Sequence, residues 1–159
     1  MTREVRPFEG ALLPLRFVPQ GPPLSLEEGG FLLREDLRSR EEELFLLWYG
    51  QRLRERLRSL VPLWSRRMAV RPRSVTVKDT RSRWGSCGIR GDLAFSAHLA
   101  RLAPDLTEYV VVHELAHLVH RNHGPSFWAL VALHLPDAGS RRTRMKDPAF
   151  LPPRPRRGP

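Results

Sequence analysis

The segment His113-Glu114-Leu115-Ala116-His117 constrains this chain more than any other. Its two histidines act together only on a helix. Residues four apart there sit roughly 40° apart around the axis and about 6 Å along it, so both imidazoles reach one metal ion from one face. Glu114 lies about 100° round from His113, too displaced for a natural third ligand but near enough to hold a water beside the metal. Two imidazoles that bind, a carboxylate that acts as base and one open coordination position make up the division of labour of a zinc hydrolase.

The flanks supply signals for the helix. Asp105 and Glu108, just after Pro104, read as a capping box with Asp105 as N-cap. The run Tyr109-Val110-Val111-Val112 has strand character, but Leu115, Ala116, Leu118 and Val119 restore the helical period. Asn122 to Gly124 is expected to end the helix, and Pro125 fits the first turn of a second one carrying Phe127, Trp128, Leu130 and Val131.

A third protein ligand is required, and His120 and His123 compete for it. His120 shares the face of His113 but lies about 10.5 Å further along a straight helix. Ligand nitrogens about 2.1 Å from one zinc lie within roughly 3.5 Å of each other, which that spacing prevents. His123 falls beyond the expected helix end, on a turn able to fold back, and is the expected ligand.

Three blocks carry a resemblance: Ser82-Arg83-Trp84-Gly85-Ser86-Cys87, Tyr109 to Leu118, and Asn122-His123-Gly124-Pro125-Ser126-Phe127-Trp128. Together they resemble the YgjP-like metallopeptidase domain, a family related to SprT-like and other HExxH zinc peptidases, with Ser96 standing where such domains often show Asn. The resemblance extends from about Leu12 to Asp147. It implies an α+β zincin-like domain in which His113, His117 and His123 match the zinc ligands and Glu114 the general base.

The chain of 159 residues is long enough for one domain with a core of its own. Cys87 is the only cysteine, which excludes an intrachain disulfide; with no apolar run of membrane length and a poor signal sequence, the expectation is a cytoplasmic protein. The net charge of +10 comes almost wholly from arginine, since Lys78 and Lys146 are the only lysines. Such a charge favours weak, non-specific contact with nucleic acid, although arginine spread around a helix is more simply a solvated face.

The expected architecture follows the chain. Residues 1–10 are expected to fray, residues 11–147 to form the domain, and the Pro- and Arg-rich stretch 148–159 to be a disordered tail. Between Ala11 and Leu33, short strands broken by turns read as a small β-meander, with a hairpin at Glu27-Glu28-Gly29-Gly30. From Arg34 a long helix follows, with Gly50 a candidate bend and Pro62 its end. Val70 to Lys78 reads as a strand, the stretch to Cys87 as a loop packing Trp84 and Cys87 under the zinc helix, and Asp92 to Ala97 as the edge strand available to an extended peptide substrate. A short basic segment, Asp137 to Lys146, follows the second helix.

The expected chemistry is hydrolysis of a polypeptide amide bond, with Zn2+ on His113, His117 and His123 activating water and Glu114 accepting its proton. Arg81 and Arg83 are candidate substrate-facing residues, and Cys87 is not expected to be a nucleophile. For the developing oxyanion, Arg83, His98, His134, Arg141 and Tyr109 are all candidate donors, with His98 favoured as a surface residue. Two other readings stay open: a zinc nucleotide hydrolase in which Arg81 and Arg83 grip phosphate, and a basic nucleic-acid-binding module with a structural zinc.

Overall fold

The computed structural model describes residues 4–152. The strands Val5–Phe8 (β1), Ala11–Val18 (β2), Leu24–Glu27 (β3) and Gly30–Arg34 (β4) form one sheet. The N-terminus therefore does not fray from Val5 onward: β1 pairs antiparallel with β2, from Val5 opposite Pro14 to Phe8 opposite Ala11. The expected hairpin joins β3 to β4. The sheet is nevertheless not a meander. Its order is β1-β2-β4-β3, and β2 runs parallel to β4. Gly30 permits that insertion: it has φ +137°, and a Cβ there would lie 2.4 Å from the Pro14 carbonyl oxygen.

A 3-10 turn, Glu35–Arg40, leads into the helix Glu41–Arg67 (α1). Glu41, Glu42 and Glu43 open the helix and Arg66 and Arg67 close it, both favourable to its dipole. Its buried stripe is Phe45, Tyr49, Leu53, Leu57 and Val61 at intervals of four, then Trp64. Neither Gly50 nor Pro62 ends it. Pro62 removes the hydrogen bond to the carbonyl of Arg58, but both residues face solvent while Val61, Trp64 and Met68 continue into the core. Burial on one side outweighs the lost bond on the other.

One stripe serves two cores. The front half of α1, with Phe45 and Tyr49, packs on the first sheet through Leu15, Phe31 and Leu33. Its rear half packs on the second sheet and the remaining helices. That sheet contains Ser74–Lys78 (β5), Gly85–Cys87 (β6) and Asp92–Ser96 (β7), in the order β5-β7-β6. Asp92–Ser96 is thus the central strand, parallel to β5 and antiparallel to β6. The expected edge strand is corrected: the edge beside the histidines is β6.

The helices Pro104–Ala116 (α2), Pro125–His134 (α3) and Ala138–Arg144 (α4) complete the domain. Helix α2 is buried almost all round, including Val110, Val111 and Val112, which is why a β-branched run stays helical. The expected capping box does not form. Ala103 is the N-cap, no side chain caps it, and Pro104 fills the first position. Asp105 and Glu108 are engaged by α4 instead, Asp105 by Arg144 (2.5 and 3.1 Å) and Glu108 by Arg141 (2.8 Å), while Trp64 Nε1 also donates to Glu108 (3.2 Å). Of the tail, Pro148–Phe150 forms a short 3-10 turn, and residues 153–159 lie outside the described residues. Among the described residues no helix is long and apolar enough to cross a membrane.

Candidate metal centre

Helix α2 stops earlier than its sequence suggests. Its last residue is Ala116, His117 is the cap, and the amides of His117, Leu118 and Val119 bond to the carbonyls three residues back. This tighter turn brings the chain round so that His123 faces the helix it has just left. The Nε2 atoms of His117 and His123 lie 2.9 Å apart, and those of His123 and His113 3.2 Å apart. One ligand atom from each of His113, His117 and His123 lies within 4.8 Å of the other two. Ligand nitrogens about 2.1 Å from a tetrahedral zinc are about 3.4 Å apart, so the three imidazoles fit a single metal ion.

The outer ring nitrogens are engaged in a way that leaves Nε2 for that ion. His117 Nδ1 is 3.0 Å from the carbonyl oxygen of His120, and His113 Nδ1 is 3.3 Å from the hydroxyl of Tyr109, one turn back on α2. His120 thus takes part through its backbone. Beneath the cluster Phe127 is fully buried; its ring stacks on His117 (4.4 Å between centroids) and meets His113 and His123 edge-on, both at 4.9 Å. Trp128 stacks on His123 at 5.7 Å. The sequence puts Phe127 and Trp128 on the second helix, and their position just after His123 and Pro125 is the one local sign of this role.

Burial, with the neighbouring His117, His123 and Arg142, pushes His113 down to about 3. Burial also lowers His117. Both rings are therefore neutral, the form that binds metal. Glu114 is 4% exposed, and burial pushes its carboxyl up to about 7 against the opposing charge of Arg83. Glu114 Oε1 is 3.8 Å from His113 Nε2, and Oε2 is buried without a hydrogen-bond partner. An unpartnered carboxylate oxygen beside three converging imidazoles is a strong local departure from polar satisfaction.

Gly85 at the start of β6 lies directly against this carboxylate. A Cβ there would be 3.0 Å from Glu114 Cγ and 3.2 Å from Val110 Cγ1, so a side chain at this position would press on the helix that carries Glu114. A cleft of about 440 Å³ opens in front, bounded by Arg83, Trp84, Tyr109, His113, Glu114 and Arg142 among others. A larger groove of about 640 Å³ lies between α1 and β5, but its walls, such as Leu57, Val61 and Val75, bring no candidate base or ligand.

Other expected residues are sorted by the fold. Arg83 lines the cleft, whereas Arg81 Nε lies 3.4 Å from Asp79 Oδ1 and does not. His98 is not a surface residue: it is 2% exposed, with Nε2 2.9 Å from Asp79 Oδ1 and Nδ1 accepting from Arg101 Nε at 3.1 Å. His134 packs on Trp64, and Arg141 is held by Glu108 and Asp137. Arg83 and Tyr109 are the oxyanion-donor candidates that reach the cleft. Cys87 sits in β6 with its thiol pushed up by burial and by Glu114, which disfavours a thiolate.

The YgjP-like metallopeptidase domain model matches residues 8–148. No curated protein matches the chain. Among solved structures, the crystal structure of the metallopeptidase zymogen of Pyrococcus abyssi abylysin aligns with a TM-score of 0.52 at 20% identity, covering 56% of this chain and 90% of that one. That likeness supports the α+β, zincin-like fold. On the family match, which spans most of its length, the chain belongs to the YgjP-like metallopeptidases.

Proposed function

We propose that this metallopeptidase is zinc-dependent, with His113, His117 and His123 holding the ion and Glu114 acting as the general base that cleaves a polypeptide amide bond. Zinc bound there would supply Lewis acidity and lower the pKa of water. The observation carrying the reading is the buried Glu114 carboxylate, whose unpartnered Oε2 stands beside the converged imidazoles.

The chain's own residues account for the remaining work. A carboxyl near neutrality takes a proton from the attacking water and returns it to the departing amine, the range in which a general base is most effective. Strand β6 is a sheet edge that an extended substrate would join through backbone bonds, beside the Arg121 guanidinium that donates to the Cys87 carbonyl at 3.2 Å. Arg83 and Tyr109 border the cleft as donors for charge developing on the substrate carbonyl. The phosphate-gripping alternative needs Arg81 and Arg83 together, and only Arg83 lines the cleft. A structural-zinc module has no use for a buried base.

Glu114→Gln tests the reading. The amide keeps the size of the side chain and leaves the imidazoles in place. Peptide hydrolysis should fall about 10²–10⁴-fold while zinc content stays at the wild-type level. Full activity in a zinc-loaded Glu114→Gln protein would end the proposed mechanism.

A further inference from the structure

Helix α4 treats its arginines unequally. Arg141 is paired with Glu108 and Asp137, and Arg144 with Asp105. Arg142, between them, turns toward the cleft: its guanidinium lies 4.6 Å from the Trp128 ring centre, and among the described residues no carboxylate pairs with it. Lys146, just beyond the helix, lines the same cleft, as does Arg83 from the facing loop, whose charge faces that of Glu114; among the described residues neither makes a salt bridge. Among the described residues Glu114 is the only carboxylate on the cleft wall, and the reading above gives it the role of base.

Beside Tyr109 and His113, the rest of the wall is largely apolar, with Trp84, Val110, Met145 and Leu151. Cations beside low-dielectric walls focus their field into the space between them. A carboxylate entering that space would gain charge-assisted hydrogen bonds, and an apolar side chain would gain burial. A basic or polar segment would gain neither. Random scatter of surface arginine does not explain this arrangement, because neighbouring arginines on the same short helix are matched to acids.

We infer that the cleft selects peptides carrying an apolar side chain next to the scissile bond and a carboxylate within a residue or two of it, with Arg142 and Lys146 as specificity determinants. The inference rests on the peptidase reading above. The carboxylate is either an Asp or Glu side chain or a free peptide C-terminus, and both present the same group to the same cations.

The test uses the zinc-loaded full chain and fluorogenic peptides with one central Leu. The peptides differ only in Glu, Gln or Lys two residues from it, and each is made with a free and an amidated C-terminus. Among amidated peptides, kcat/KM should favour Glu over Lys by about tenfold or more, and the preference should shrink at high salt. If the side chain is not the source, the free-acid Gln peptide should outrun its amide by a similar factor. Arg142→Glu and Lys146→Glu, both at exposed positions, should flatten or invert the preference, with melting temperature and zinc content confirming that each variant is folded. Indifference to both carboxylates, or a preference unchanged in both folded variants, would overturn the inference and leave the peptidase reading standing. Cleavage of no peptide would overturn that reading and the inference with it. Strong inhibition by oligo-dT, combined with indifference to peptide charge, would assign the cations to nucleic acid and also overturn it.

Discussion

Two histidine sites, built on consecutive stretches of chain, differ in how their ring nitrogens are matched: His98 is buried, whereas His113 and His117 are half-buried and His123 is exposed. In the first, His98 has a complementary partner for each ring nitrogen: Asp79 Oδ1 at 2.9 Å on Nε2, and the Arg101 guanidinium at 3.1 Å on Nδ1. In the second, His113, His117 and His123 turn their Nε2 atoms toward one another, and the nearby Glu114 carboxylate keeps an oxygen unpartnered. Only the first is satisfied by the protein itself, so it fastens the 3-10 turn Ala97–Arg101 to the loop before β6. The second leaves converging ring nitrogens and a carboxylate oxygen that a bound cation would match. Burial alone does not mark a functional histidine; an unmatched set of donor atoms does.

The largest effect expected from breaking this contrast is at Phe127, because its ring touches all three converging histidines, whereas His98 is held by polar partners. Phe127→Ala should cost about 3–5 kcal/mol of stability, read by denaturant titration, and should also weaken zinc binding in a competition assay. Unchanged zinc affinity would mean that the rings do not position the imidazoles.

Gly85 sharpens the contrast from the carboxylate side. Gly85→Val forces a side chain against Glu114 Cγ and should lower peptide hydrolysis by about tenfold or more with zinc still bound. Wild-type kcat/KM in this variant would show that the close approach of β6 has no bearing on the base.

The smallest effect belongs to His98. Burial lowers its proton affinity, opposed by the hydrogen bond to Asp79, so it is neutral in the folded protein. The unfolded chain binds that proton more readily. Stability from this site is therefore present above the unfolded value of about 6.5 and lost as pH falls through and below it. Urea midpoints should drop more between about pH 7.5 and pH 5.5 for the wild type than for His98→Asn. Equal drops would remove the buried neutral histidine from the account.

The convergence of the three histidines is legible in the sequence because its geometry is local. His113, Glu114 and His117 are fixed by one turn of helix, and His123 by the need for a nitrogen near them. What it hid is long-range. Asp105 and Glu108 match a capping box in sequence, yet arginines more than thirty residues away claim both. Pro62 looks like a helix end until Val61 and Trp64 are seen buried on the far side. The central place of Asp92–Ser96 and the parallel pairing of β2 with β4 are strand-order facts, which alternation along one strand does not encode. His98 reads as a surface residue because Asp79 and Arg101 become its partners only in the fold.

The central claim is that three particular imidazoles form the metal site, and metal content tests it most directly. Wild type, His123→Ala, His120→Ala and His98→Ala would be expressed with zinc, dialysed and measured by elemental analysis, with circular dichroism to confirm folding. The account predicts about one zinc per chain in the wild type, retention in His120→Ala, whose contact with His117 is through its backbone carbonyl, retention in His98→Ala, and loss in His123→Ala. Equal zinc in the folded His123→Ala and His120→Ala proteins would contradict it.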